Sequence, residues 1–275
     1  MKRSLVRPTA GAAAVMLLAL TAACSSSSSS SSASGGSTST AGGSTSGKSY
    51  KMSFIQGVQG DGFYVTMGCG IQAEAKKIGN ITVNIQGPSQ FDATLQNPII
   101  QSVTAAKPDA ILIAPNDVSA SRPPIAAAMA AGIKVVLVDT TLSDPSGAVS
   151  QISSDNLAGG GFAFKALQQL VPAGGEVLVV NTKPGISTTD QRTQGFADAV
   201  KADPKFKYVG VQYNQDSASI AAQVTLAALQ KNPGIVGIFA PWLWLVGAFL
   251  PAKKGSRYDL AQQMAYQGQA AQYAE

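Results

Sequence analysis

Two short stretches, Ala110 to Ala114 and Ile133 to Val138, are apolar at every position but Lys134. Turn-forming residues bound them: Lys107-Pro108-Asp109, Pro115-Asn116-Asp117, Gly132 and Asp139. A strand without polar alternation is buried on both faces, as in a parallel sheet covered by helices on each side. That requirement confines the chain to layered α/β architectures, so the neighbouring segments should alternate between strand and helix.

They do. The first run reads as strand over Lys51 to Val58, helix over Phe63 to Ile78 with Gly79-Asn80 as its stop, and strand over Ile81 to Gln86. Asp92 to Ala106 is mostly helical. Pro98 is expected to mark a kink or a late start there, with Asn97 as the cap. A helix over Ser121 to Ala131 joins the two apolar strands. The pattern then restarts. Val149 to Ile152 is a short strand or crossing segment, and Leu157 to Val171 a helix entered through Gly159-Gly160-Gly161. Strands over Glu176 to Asn181, Tyr208 to Tyr213 and Ile235 to Phe239 alternate with helices over Thr189 to Ala202 and Ser217 to Lys231. Two successive runs of similar size predict two α/β lobes. The lobes are expected over residues 48–140 and 141–249, with a hinge between Thr140 and Ser150.

Residues 1–47 read as an address and a tether. Lys2, Arg3 and Arg7 precede an apolar stretch, Ala10 to Leu20, that is shorter than the roughly 20 residues a bilayer span needs. Residues 1–23 are therefore expected to be a signal peptide. Thr21-Ala22-Ala23 before Cys24 looks like a bacterial lipobox, which makes Cys24 the expected lipidation site. The other reading is an ordinary signal peptide cut nearby. Residues 24–47 are almost wholly Ser, Gly, Thr and Ala, with nothing to bury, and form a flexible tether.

Composition removes several functions. The chain contains no histidine, and with it go the usual general base, the Ser-His-Asp triad and most zinc sites. Setting aside the three basic residues of the signal leaves 17 Lys and Arg against 15 Asp and Glu, with no basic stripe. Nucleic acid is not an expected partner. No cofactor and no metal are expected. Cys69, the second of two cysteines, reads as a small buried filler.

Ligands of open α/β sheets sit off the carboxyl ends of the strands. The turns of interest are Gln59 to Tyr64, Pro115-Asn116-Asp117, Asp139-Thr140-Thr141, Lys183 to Arg192 and Ala240-Pro241-Trp242.

From Lys51 to Ala240 these turns and their surroundings resemble the ribose-type periplasmic-binding-protein family, the sugar-binding components of ABC importers. The resemblance rests on motifs in register. They are Gly62-Phe63-Tyr64, Ala75 to Gly79, Lys107 to Pro115, Ala131 to Val136 with Val138-Asp139, Ser154-Asp155-Asn156 with Gly159, and Arg192 to Phe196. It implies a type I fold: two Rossmann-like lobes with parallel sheets, closing on a ligand in the cleft. It further implies that Phe63 and Tyr64 pack on a sugar ring, whose apolar face suits an aromatic one. Asp61 holds a position of polar ligand contact, or caps the following helix. Asp139 is expected to accept hydrogen bonds from sugar hydroxyls, though Thr140 follows it where many members carry Arg. Arg192 corresponds to a cleft arginine whose fixed donors suit vicinal hydroxyls; the competing reading is a surface ion pair with Asp190 or Asp198.

The resemblance weakens after Ala240. Trp242 stands where the family carries a polar residue, usually Asn, and the next ligand-bearing strand is missing. The second lobe is therefore expected to be incomplete and residues 250–275 an atypical tail, as in a truncated chain. The function implied is an extracytoplasmic, lipid-anchored, monomeric binding protein that is not an enzyme. It would capture a monosaccharide or similar polyol for ABC permease subunits. A sensory binding protein and a non-functional remnant are the alternatives.

Overall fold

A computed structural model of the chain describes residues 48–242. The signal peptide, Cys24 and the tether lie outside the described residues, as do Trp244, the rest of the atypical segment and the tail.

The first sheet contains β1 (Tyr50–Ile55), β2 (Ile81–Gln86), β3 (Ala110–Ile113), β4 (Lys134–Val138) and β5 (Ser150–Ile152). Its order is β2-β1-β3-β4-β5 and every pair is parallel. Because β5 pairs with β4, this sheet extends past residue 140 to Ile152. Helices α1 (Gly62–Ile78), α2 (Ala93–Ala105) and α3 (Arg122–Ala130) connect the strands. The two apolar stretches became β3 and β4, and they are covered as expected. Ile111, Ile113, Val135 and Leu137 pack with Ile100, Val103 and Ile125 of α2 and α3. Leu112 and Val136, one residue out of phase, pack on the opposite face with Phe54, Met67 and Ile71. Burying each such side chain contributes about 1.5–3 kcal/mol.

The second sheet is formed, among the described residues, by β6 (Gly175–Asn181), β7 (Phe206–Tyr213) and β8 (Ile235–Phe239), parallel and ordered β7-β6-β8. Its helices are α4 (Asn156–Leu170), α5 (Ser187–Lys201) and α6 (Ala218–Lys231). An aromatic cluster fills the α4/α5 side: Phe164 meets Phe196 and Phe206 edge-on, and Phe196 stacks on Phe239 with ring centres 4.8 Å apart.

Glycines bring α4 and α5 together backbone to backbone. A Cβ on Gly160 would lie 2.0 Å from the Arg192 carbonyl oxygen, and one on Gly195 would lie 1.9 Å from that of Leu157. Only glycine permits this approach. It sets the position of Arg192, half-buried on α5.

Two local expectations are corrected. Helix α2 begins at Ala93 with Asp92 as its cap, the Asp92 carboxylate accepting from the Thr94 amide at 2.7 Å. Pro98 lies inside this helix, and Asn97 donates instead to the carbonyl of Ala120 at 3.0 Å. The Asp92 cap satisfies an orphan amide of the first turn, so the helix starts before the proline. Cys69 is exposed, not buried. The buried stripe of α1 runs through Tyr64, Gly68 and Ala75, and Cys69, one step round from Gly68, faces outward.

Candidate functional site

In each sheet the winding reverses beside the first strand, between β1 and β3 and between β6 and β8. α/β folds bind ligands outside the strand ends at such points. The turn after β1 leads through Asp61 into Phe63 and Tyr64 on α1, Asp139 follows β4, and Arg192 lies on α5 after β6.

Asp61 caps α1, its carboxylate accepting from the Phe63 amide at 2.9 Å. This fixes the direction in which the following two rings leave the helix. Phe63 is 39% exposed, whereas Tyr64 is 0% exposed and belongs to the apolar cluster beneath the strand ends. The two rings meet edge-on with centres 5.2 Å apart. The expected pair of stacking faces is thus one open ring, Phe63, and one buried ring. Tyr64 addresses the site through its hydroxyl, which donates to Asp139 Oδ2 at 2.7 Å. Gly57 makes room for it: a Cβ there would fall 2.4 Å from the Tyr64 hydroxyl and 2.5 Å from Phe91.

Asp139 ends β4 in the left-handed region, at φ 61°, which costs a non-glycine residue roughly 1–3 kcal/mol. The loop holds it there. Its amide donates to the Ile152 carbonyl at 2.8 Å and its own carbonyl accepts from Ser153 Oγ at 2.6 Å. Burial raises the Asp139 pKa above the ordinary value of 3.8, and the neighbouring Asp61 charge adds to this. The Tyr64 hydrogen bond and the Arg192 charge pull it back down. Burial, then Asp139, pushes the Tyr64 hydroxyl well above its ordinary value, so it stays a donor.

Arg192 reaches the same region from the second lobe. Its Nε donates to Asn156 Oδ1 and its Nη1 to the Pro241 carbonyl, both at 2.8 Å. Of the partners proposed on sequence grounds, Asp190 accepts from Asn181 and Gly185, and Asp198 pairs with Lys201. The guanidinium is thereby oriented while its charge acts on Asp139 and Tyr64.

A polar net under the first lobe's strand ends holds these loops in place. Gln96 donates to the carbonyls of Gln56 and Ala114 and accepts from the Asn116 amide; Asn116 in turn donates to Gly57. Gln96 and Asn116 are fully buried. Such groups are costly unless paired, so the bonds they make favour one loop arrangement, although the buried Asn116 Oδ1 has no hydrogen-bond partner among the described residues.

The turns after β2 and β7 belong to the site and were missed. Phe91 and Asp216 follow those strands, so the carboxyl-end rule would have found them. The Phe91 amide meets Asp216 Oδ2 at 3.5 Å, and Phe91 and Trp242 touch edge-on with centres 5.7 Å apart. Asp216 is held above the ordinary carboxylate range by burial, with Lys183 opposing and Asp61 adding to the shift. Lys183 Nζ lies 3.7 Å from Asp92. The lobes also meet where the Val118 amide donates to Gly185 and the Thr141 amide to Ser187 Oγ.

The site therefore combines an open phenyl ring, a buried carboxylate, an oriented guanidinium and further carboxylates. It is equipped to hold a small polar molecule with an apolar face. Among the described residues no group of three or more acidic or cysteine side chains is arranged to hold a metal ion.

Comparison with known proteins agrees with this architecture. The periplasmic binding protein domain family matches residues 52–271, and the chain belongs to that family. The match continues beyond Ala240 into the segment outside the described residues. The ribose import binding protein of Bacillus subtilis is 30% identical over 178 residues, covering 65% of this chain and 57% of that protein. The D-allose-binding periplasmic protein of Escherichia coli is 30% identical over 186 residues, covering 64% and 59%. The chain thus spans less than two thirds of the length of these curated relatives. An ABC transporter solute-binding protein of Agrobacterium vitis, bound to alpha-D-tagatopyranose, superposes with a TM-score of 0.71 at 29% identity over 82% of this chain and 90% of that one. One from Mycobacterium smegmatis with bound glycerol gives a TM-score of 0.64 at 30% identity, over 74% and 71%.

Proposed function

We propose that this chain is an extracytoplasmic solute-binding lipoprotein that captures a monosaccharide or similar polyol and delivers it to the permease of an ABC importer. The observation that carries this reading is the convergence of Phe63, Asp139 and Arg192 from both lobes at the strand ends. Phe63 packs on the ligand's apolar face. Asp139, steadied by Tyr64, accepts from hydroxyls, and Arg192 donates to them. Asp61 acts as a cap and adds negative charge beside them. The ligand named for each relative belongs to that relative. Cys24 carries the lipid and residues 24–47 tether the lobes to the outer face of the cytoplasmic membrane, where the protein acts as a monomer. The relatives it resembles are sugar-binding proteins of transport systems, and this chain is read as a binder of the same kind rather than an enzyme.

A thermal-shift screen of the full-length chain against monosaccharides and polyols tests the reading. A ligand present at 100 times its Kd stabilises the native state by about 2.7 kcal/mol. A full panel with no shift in melting temperature would refute the proposal.

A further inference from the structure

Trp242 leaves the end of β8 and crosses to the first lobe. Its indole meets Phe91 and packs on the apolar cluster of Phe54, Tyr64 and Val138, which also takes in Ile186 from the second lobe. The turn that presents it is pinned, because the carbonyl of Pro241 accepts from Arg192 at 2.8 Å. Two crevices flank the indole. One, of about 10 Å³, lies against Thr182, Asn214 and Ser217; the other, of about 0 Å³, lies against Phe91 and Ile186. Asp216 borders both. Each falls short of the roughly 300 Å³ at which ligand pockets begin. Trp242 therefore occupies the stretch of cleft between Phe91 and Ile186 with a side chain close in size to a pyranose.

We infer that Trp242 is a size filter: it ends the ligand space at the Phe63, Asp139 and Arg192 corner, so the chain selects three- and four-carbon polyols over pyranose sugars. This rests on the binding-protein reading above. Space beside a pinned ring is lost to every ligand but costs a short one nothing. A ring-form sugar reaching towards Asp216 must displace the indole from Phe91 and Ile186 and expose apolar surface to do so.

Isothermal titration of the full-length chain and of Trp242→Asn with glycerol, erythritol, ribose and allose tests the filter. The expected result is erythritol bound at least tenfold more tightly than allose by the unaltered chain, with that ratio falling at least tenfold in Trp242→Asn. Trp242→Phe keeps an apolar contact with Phe91 and gives an intermediate ratio, which provides a folded comparison if the Asn variant unfolds. Equal allose affinity in all three proteins overturns the filter and leaves the binding-protein reading intact. Loss of every ligand from both variants while the unaltered chain binds also overturns it, because Trp242 is then a ligand contact. Failure of all three proteins to bind any of the four sugars and polyols removes both readings together.

Discussion

Replacing Tyr64 with Phe removes one hydroxyl from a fully buried ring and leaves its packing otherwise intact. The lost interaction is the 2.7 Å bond to Asp139 Oδ2. A hydrogen bond to a charged group contributes about 1.5–3 kcal/mol. At roughly 2–4 °C per kcal/mol for a domain of this size, the variant should melt about 3–12 °C lower near neutral pH. The loss should depend on pH with a definite sign. Burial raises the folded pKa of Asp139 above 3.8, and the Tyr64 hydroxyl works against that rise. A raised folded pKa favours the native state most below the unfolded value and withdraws that contribution as pH climbs through the folded value. Removing the hydroxyl lifts the folded value further. The deficit of Tyr64→Phe should therefore be largest where Asp139 is ionised and should shrink as pH falls through the raised folded values, above 3.8, at which the carboxyl takes up its proton in each folded protein. Thermal melts of both proteins from about pH 4 to pH 8 measure it, with Asp139→Asn as a background in which the pH dependence of the difference disappears. A deficit of constant size across that range, or none at neutral pH, would refute the assignment of this bond as the support of an ionised Asp139.

Three other outcomes are expected. Gly160→Ala, which drives a Cβ against the Arg192 carbonyl, should lower the urea midpoint by the equivalent of about 1–3 kcal/mol; Gly161→Ala, with open space around it, should raise stability by roughly 0.5–1 kcal/mol, and the reverse order would remove the close-packing account of α4 and α5. Phe63→Ala and Arg192→Ala should each weaken sugar or polyol binding by about 0.5–3 kcal/mol in titration calorimetry; normal binding by both would mean the site lies elsewhere. Cys24→Ala should move the protein from the membrane fraction to the soluble one on cell fractionation, and an unaltered chain already wholly soluble would rule out the lipid anchor.

Periodicity alone carried the architecture. Apolar runs without alternation have one stable environment, a sheet covered on both faces, and the strands over 110–113 and 134–138 occupy it. The glycine stop at Gly79, with φ 91°, was equally local, since the left-handed turn that ends α1 favours that residue. Motifs quoted from the turns placed Asp61, Phe63, Tyr64, Asp139 and Arg192 off the strand ends, because parallel order fixes which end of each strand every turn leaves. Tertiary contacts decided the rest. Sequence cannot tell which of two adjacent rings turns inward: Tyr64 is buried because Gly57 leaves space above it and Asp139, at the end of another strand, accepts its hydrogen bond. Cys69 faces solvent because the contact stripe of α1 passes one residue to its side. Asp216, Phe91 and Trp242 meet from turns far apart in the chain. Their encounter depends on how two lobes face each other, a relation between surfaces that no local pattern of residues encodes.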